Sequence, residues 1–356
     1  MDEPISLSFN DRYFYKQDGL GESSYVFING NDLTKRWKRL KKHESFTIGE
    51  LGFGTGLNFL NVLKEWKTFQ REAKLNFISI ERFPLALEDL EKALANFPDL
   101  NYETKDLLQL YPPLSRGFHR INFEEDNVSL TLIFDDVDRG LDDLQKTTKT
   151  FDAWFLDGFS PRENPKMWSS KILSGISNLS HSKTSLSSFS AASIIKKSLE
   201  ENDFNISLVD GYKHKRHMIK AHSNSSNTKS DSNRKKIAIV GAGISGSCLA
   251  NSLAKRGHHV TVFEKNSNQK NGIPSFVGNP NLSHANTPYG RFLLASYLFF
   301  SHYYSKYCPN SWNETGVIVL KDEKGNYNKL EKIFRQINDS DFITKADKDL
   351  LLSVGL

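Results

Sequence analysis

Two glycine-rich turns, each placed between an apolar β-like run and a helix-like run, constrain this chain more than any other feature. The first is Ile48-Gly49-Glu50-Leu51-Gly52-Phe53-Gly54-Thr55-Gly56-Leu57-Asn58, and the second is Ile237-Ala238-Ile239-Val240-Gly241-Ala242-Gly243-Ile244-Ser245-Gly246. A strand, a glycine turn and a helix in that order build a nucleotide-binding βα unit, with backbone N–H groups presented at the helix N-terminus. The two turns differ in one respect. Glu50 stands just before Gly52, where a carboxylate repels a pyrophosphate but can accept hydrogen bonds from an ammonium group. The first turn therefore suits S-adenosylmethionine, and the acid-free second turn suits a dinucleotide.

A chain of 356 residues with 38% hydrophobic content is comfortable as two units. The stretch from Ser223 to Asn233 has no aliphatic side chain to bury and reads as a flexible linker. It divides a first unit, residues 1–222, from a second, residues 234–356. The net charge of +5 permits a polyanionic partner without requiring one. Two cysteines, Cys248 and Cys308, make neither a disulfide framework nor a metal site, and no metal is expected. Met1-Asp2-Glu3-Pro4 begins no apolar signal segment, and the longest apolar stretch, Phe292 to Phe300, falls short of the roughly 20 residues of a membrane span. A reducing, cytoplasmic setting without a membrane is the expectation.

Within the first unit, strands and helices alternate. Ser45–Leu51, Leu75–Ile80, Val128–Phe134 and Phe151–Leu156 read as strands, and Leu57–Trp66 and Leu85–Asn96 as helices. Buried strands separated by helices predict an α/β fold with a parallel sheet covered on both faces. Ligands of such sheets bind beyond the carboxyl ends of the strands. Four acids recur there: Glu50, Glu81, Asp136 and Asp157. Glu81 is placed to accept the ribose hydroxyls of an adenosine, a surface carboxylate capping the following helix being the plainer alternative, and Asp136 lies beside the adenine, with Asp135 an equal rival. Gly52, Gly54, Gly56 and Asn58 complete the cofactor turn. The segment Phe155-Leu156-Asp157-Gly158-Phe159-Ser160-Pro161 reads as a catalytic loop. Asp157 there can hold an amine and take its proton, and Phe159 can stack on a planar acceptor. An ordinary Asp-Gly turn at a strand end is the plainer alternative.

Two cationic runs, Lys35-Arg36-Trp37-Lys38-Arg39-Leu40-Lys41-Lys42 and Lys213-His214-Lys215-Arg216-His217, interleave charge with aromatic or imidazole rings, a pattern suited to RNA. A solvated charged face is the alternative for either run.

The first unit resembles the methyltransferase half of the MnmC-type family of tRNA 5-methylaminomethyl-2-thiouridine biosynthesis proteins. The stretches that carry the resemblance are Tyr25–Asn31, Gly52–Leu60, Phe77–Pro84, Asp152–Pro161 with Asn164-Pro165 and Met167-Trp168, and Gly211–Met218. It covers most of residues 10 to 220. The resemblance implies a Rossmann-like class I methyltransferase domain that moves a methyl group from S-adenosylmethionine to the aminomethyl nitrogen of a tRNA wobble uridine, with Asp157 as the catalytic carboxylate. The chain departs from the family at Ser180–Thr184, where a Pro-Gly-Gly turn is expected, and in the serine-rich stretch Ser185–Ser193; both bear on the far edge of the sheet.

The second unit resembles the start of the family's FAD-dependent oxidoreductase half. Gly241, Gly243 and Gly246 fit its diphosphate turn and Glu264 its ribose acid. Gly278-Asn279-Pro280-Asn281-Leu282 matches the flavin-contacting segment only loosely. The unit is expected to be an incomplete FAD-binding domain that does not hold FAD stably. Two alternatives accompany this reading: a bifunctional enzyme that also removes a carboxymethyl group with FAD, and a catalytically inactive tRNA-binding remnant.

Overall fold

A computed structural model describes residues 5–6, 11–13, 18–69, 72–147, 150–158, 160–213, 215–229, 234–265, 275–279, 282–283, 287–319, 327–337 and 343–353. A short antiparallel pair, β1 (Ile5–Ser6) and β2 (Asp11–Arg12), precedes α1 (Gly19–Ser23), a π-helical turn (Ser24–Asn29) and α2 (Leu33–Trp37). Next come β3 (Ser45–Leu51), α3 (Leu57–Lys67), β4 (Lys74–Glu81), α4 (Leu87–Leu94), α5 (Asn101–Leu110), β5 (Gly117–Phe123), β6 (Val128–Phe134) and α6 (Val137–Gln145). The unit continues through β7 (Phe151–Leu156), α7 (Ser170–Asn178), β8 (Ser180–Ser188), α8 (Ser193–Glu200), β9 (Phe204–Asp210) and β10 (His217–Ser223).

From β3 onward these strands form one eight-stranded sheet in the order β5-β6-β4-β3-β7-β8-β10-β9. The expected strands and their order along the chain are present, but the sheet is mixed. Only β6, β4, β3, β7 and β8 run parallel; β5 is antiparallel to β6, and β10 is antiparallel to both β8 and β9. The cause is connection length. The turns joining β5 to β6 and β9 to β10 are too short for the crossover that a parallel pair requires, so both fold back as hairpins. Helix α4 is also shorter than expected, because Ala86 stays extended at ψ 150° and the helix starts after it.

Successive residues of a strand face opposite sides of a sheet, so each central strand feeds two cores. Phe77 and Phe155 enter one core with Phe46, Phe59 and Trp37; their neighbours Ile78 and Trp154 enter the other with Leu156, Ile172 and Leu186. Gly49 is required by this arrangement, since a side chain there would run into the Trp154 ring.

The departing stretch Ser180–Thr184 and the start of the serine-rich stretch, Ser185–Ser188, form β8, which lies between β7 and β10 rather than at the edge. Apart from Ser182, which is exposed, its serines are buried and partnered. Ser180 Oγ donates to the Ile176 carbonyl at 2.7 Å, Ser185 Oγ to Asn31 Oδ1 at 2.6 Å, and Ser188 Oγ to the Leu156 carbonyl at 3.1 Å; Asn31 Nδ2 donates to Ser187 Oγ at 2.6 Å. A strand can be serine-rich and central when each buried hydroxyl has such a partner.

The start of the expected linker is also held. Asn227 Nδ2 donates to the Ser180 carbonyl at 3.1 Å, and Lys229 Nζ reaches both the Ser45 carbonyl and Asp152 Oδ1 at 2.8 Å. Residues 224–229 thus lie along the first unit, because their amides and cation find partners that composition alone does not reveal.

The second unit contains β11 (Lys236–Val240), α9 (Ile244–Lys255) and β12 (His259–Phe263), a right-order βαβ turn with the strands parallel. Helices α10 (Pro288–Tyr307), α11 (Tyr327–Ile337) and α12 (Lys348–Ser353) follow. Val240 is 89% exposed and Phe263 56%, and α9 has no buried residue. Parallel strands normally stand covered on both faces, so this pair is an incomplete sheet as described. Helix α10 lies against the first unit, where Arg291 Nη1 meets Asp143 at 3.2 Å and Lys306 Nζ donates to the Asn122 carbonyl at 3.1 Å.

Candidate active site

The carboxyl ends of β3, β4 and β7 open into a cavity of about 1040 Å³. Its floor is the first glycine turn. Gly52 sits at φ +90°, and its N–H donates to the Ile80 carbonyl at 2.9 Å; any side chain there would meet the Asp157 carbonyl. Gly56, at φ +72°, precedes α3 and turns the chain into it. Both conformations favour glycine, so the turn can press against the Asp157 loop as no substituted residue could.

Glu81, at the end of β4, lines the cavity and is held from behind by backbone donors. Gly54 N–H reaches Oε2 at 2.9 Å and Phe83 N–H reaches Oε1 at 2.7 Å. Burial raises its pKa above the usual value, and these N–H bonds pull it back.

Glu50 lies elsewhere than the sequence suggests. It is only 1% exposed and is not part of the cavity wall. Strand β3 runs between β4 and β7, so the carboxylate is enclosed beneath the turn, where it accepts from Asn58 Nδ2 at 3.0 Å and Ser79 Oγ at 2.7 Å. Burial lifts its pKa well above the ordinary range, with Asp157 nearby adding to the rise. Its reach toward a ligand in the cavity therefore runs through Asn58, in place of the direct ammonium contact expected from sequence.

Asp135 and Asp136 are separated by their surroundings. Asp135 is buried and bonds to Arg116, whereas Asp136 lines the cavity and pairs with Arg82 Nη1 at 2.9 Å.

Asp157 stands where β7 ends, opposite Glu81 across the glycine turn. Its Oδ2 accepts from Asn58 Nδ2 at 2.6 Å, so one amide group contacts both Asp157 and Glu50. Burial pushes the Asp157 carboxyl up to about 7; Glu22 adds to the rise, while Asn58 and Lys215 oppose it. A buried carboxyl that exchanges its proton near neutrality is suited to general base chemistry. Phe159, expected to stack on the acceptor, lies outside the described residues.

Sequence reasoning missed part of this wall. Glu22 of α1 and Ser23 line the same cavity, and Ser23 Oγ donates to Asn58 Oδ1 at 2.7 Å. Nothing in the local pattern around Glu22 marks it, because its neighbours in the site lie far away in the chain. Lys215 stood in the sequence only as one member of a cationic run; here its Nζ meets Glu22 Oε1 at 2.6 Å.

The other cationic run has a different fate. Trp37 is fully buried, and Arg36 donates to Ser185 Oγ at 2.6 Å and to the Asp152 carbonyl at 2.8 Å. These residues serve the first unit's core at the amino ends of β7 and β8, the end of the sheet opposite the cavity. Burial takes Trp37 out of any RNA contact and these acceptors engage the half-buried Arg36, whereas Lys35, Lys38, Arg39, Lys41 and Lys42 of the same run stay exposed.

In the second unit Gly241 sits at φ +98° and Gly243 precedes α9. Ala242 N–H donates to Glu264 Oε2 at 2.7 Å, and a side chain at Gly246 would collide with the Gly241 carbonyl. The loose flavin-segment match falls partly on residues 280–281, outside the described residues. Among the described residues no cluster of His, Cys, Asp and Glu could hold a metal ion, and no helix is long and apolar enough to cross a membrane.

A family of S-adenosyl-L-methionine-dependent methyltransferases matches residues 98–224, and an NAD(P)-binding Rossmann-like domain matches residues 239–269. The bifunctional tRNA 5-methylaminomethyl-2-thiouridine biosynthesis protein MnmC of Legionella pneumophila (strain Lens) is 37% identical over 337 residues, covering 86% of this chain and 50% of the relative. That of Acinetobacter baylyi is 35% identical over 352 residues, covering 96% and 56%. The chain spans about half the length of the curated relatives it matches. The crystal structure of MNMC2 from Aquifex aeolicus superposes with a TM-score of 0.51 at 18% identity, covering 83% of this chain and 79% of that one, which is a likeness of fold.

Proposed function

We propose, from the premise that this chain belongs to the MnmC family over the half of its relatives' length that it spans, that it is a tRNA-modifying methyltransferase. The reaction moves a methyl group from S-adenosylmethionine to the aminomethyl nitrogen of 5-aminomethyl-2-thiouridine at the tRNA wobble position. The observation that carries this reading is the convergence of the Gly52–Gly56 turn, Glu81 and Asp157 on one cavity. The turn and Glu81 would hold the adenosine, with Asp136 beside the base. When bound, S-adenosylmethionine supplies a methyl group on a positively charged sulfur. The acceptor nitrogen needs a free lone pair, and Asp157 is the group placed to take its proton. Desolvation and alignment in the cavity provide the rest of the catalysis.

The residue roles and the division into 1–222, 223–233 and 234–356 belong to this proposal, with Ser223 closing β10 and residues 224–229 lying along the first unit. It also assigns the protein to the cytoplasm. The bifunctional alternative is favoured by one observation, the Ala242–Glu264 contact that repeats the arrangement of Gly54 and Glu81. The decisive experiment incubates the purified protein with labelled S-adenosylmethionine and undermodified tRNA and identifies the nucleosides by mass spectrometry. Label in 5-methylaminomethyl-2-thiouridine is the expected result. Label absent from tRNA, with S-adenosylmethionine bound, would leave the inactive remnant.

A further inference from the structure

Beside Asp157 the cavity holds a second carboxylate that the acceptor chemistry above leaves unassigned. Glu22, in the last turn of α1, has a side chain 16% exposed, and its Oε1 meets Lys215 Nζ at 2.6 Å. Lys215 comes from the turn between β9 and β10, and its Nζ also lies 4.3 Å from the centre of the Phe189 ring. Glu22, Asp157, Lys215 and Phe189 all line the one cavity. Two carboxylates, one of them the proposed proton acceptor, and one ammonium group thus share this space. An incoming primary amine is itself an ammonium ion at neutral pH, chemically equivalent to the lysine head that sits there.

We infer that Glu22 and Asp157 form a two-carboxylate receptor for the ammonium group of the acceptor, with Lys215 occupying the Glu22 half until the acceptor arrives. The inference rests on the methyltransferase reading. On arrival the acceptor ammonium replaces Lys215 Nζ on Glu22, and the lysine is released toward the phosphates of the polyanion that carries the acceptor. The acceptor R–NH₃⁺ gives one proton to the Asp157 carboxylate. The free R–NH₂ lone pair then forms the N–CH₃ bond as the S–CH₃ bond breaks and its electron pair stays on sulfur. The product R–NH₂⁺–CH₃ and the neutral thioether leave, and Asp157 returns its proton to water. Glu22 and Lys215 are positioning residues, since neither takes the proton.

The charged and polar groups that face Asp157 are Asn58 from α3, Glu22 from α1, Lys215 from the β9–β10 turn and Glu50 beneath it on β3. Glu163 and Lys166 lie further along the wall after β7. Removing the negative charge at Glu22 makes ionisation of Asp157 easier; removing the positive charge at Lys215 makes it harder. The two ends of one ion pair should therefore act in opposite directions.

The test compares Glu22→Gln and Lys215→Met with the parent protein, using tRNA as acceptor over a range of pH. In Glu22→Gln the acidic limb of kcat/KM should move to lower pH by about half a unit or more, with the acceptor KM raised about tenfold. In Lys215→Met the limb should move to higher pH, and Lys215→Arg should restore the parental limb. S-adenosylmethionine affinity, measured by calorimetry, should stay within about twofold in all three variants. A purely structural ion pair would lower the thermal stability of both variants and leave both limbs in place; that outcome, or movement in the same direction, overturns the inference. Carboxyl-detected NMR titration of Asp157 reads the opposed shifts without turnover, so an inactive parent, which defeats the methyltransferase reading, is distinguished from a wrong assignment of Glu22. Should Glu22→Gln fail to fold, Glu22→Ala with the same titration serves in its place.

Discussion

The backbone N–H of Gly54 donates to Glu81 Oε2 at 2.9 Å, tying the glycine turn after β3 to the acid that ends β4. The second unit repeats the relationship with Ala242 N–H and Glu264 Oε2 at 2.7 Å. In both places the carboxylate is held beside the helix N-terminus before any ligand arrives. Such preorganisation reduces the ordering cost of binding, since a side chain already fixed loses little freedom.

Glu81→Ala should weaken S-adenosylmethionine binding by about 1–3 kcal/mol, the usual loss when buried hydroxyls of a ligand are left without a partner. Isothermal titration reads the loss, and an unchanged circular dichroism spectrum shows that the fold survives. Parental affinity in this variant would remove Glu81 from the site.

Asp157→Asn should cut methyl transfer by about 10²–10⁴-fold, the usual contribution of a positioned base, with cofactor affinity nearly unchanged. Parental activity should fall as pH drops through about 7, because burial pushes the carboxyl up to that value and only the ionised form accepts a proton. The stability effect has the opposite sense. A carboxyl raised in the folded state contributes stability that is full below the unfolded pKa of about 4 and lost as pH rises through about 7. The variant should therefore gain thermal stability over the parent at pH 8 and gain little at pH 4, read by calorimetric scans.

Arg36→Met should destabilise the protein by about 1–3 kcal/mol, since it leaves Ser185 and two strand carbonyls without their donor. Its tRNA affinity should keep the parental dependence on salt. Lys213→Gln with Arg216→Glu should weaken tRNA binding, while loss of the half-exposed Lys213–Asp18 pair lowers the melting temperature only slightly. The slope of its salt dependence should fall by about one for each phosphate that the turn no longer neutralises. Filter binding across a salt series separates the two cases; equal slopes in parent and double variant would exclude the turn from the RNA interface.

A polypeptide of this 356-residue sequence should purify colourless. Flavin affinity depends on burying the isoalloxazine ring, and the described second unit offers a two-stranded sheet whose Val240 and Phe263 are themselves open to water. A flavin absorbance band that survives gel filtration would establish the bifunctional reading instead.

The local βα units were legible in the chain alone. Gly52 and Gly56 announce a turn because few other residues accept positive φ; the run Phe151–Leu156 announces a buried strand because it is nearly all apolar, and Ser45–Leu51 by its place just before the glycine turn. Glu81, Asp136 and Asp157 could be picked out for the same reason, since a strand's end locates its last acid. Whatever depends on which distant residues meet was settled by the assembled sheet. It enclosed Glu50 between β4 and β7, set Asp135 against Arg116, carried Trp37 into the core, tied Arg36 to β7 and β8, and partnered the buried serines of β8. It also brought Glu22 and Lys215, from opposite ends of the first unit, within 2.6 Å of each other. A charge or hydroxyl looks the same in sequence whether water or protein will surround it. Burial and pairing are set only when the sheet order is complete, because the groups that desolvate and satisfy a side chain come from strands and turns far away along the chain.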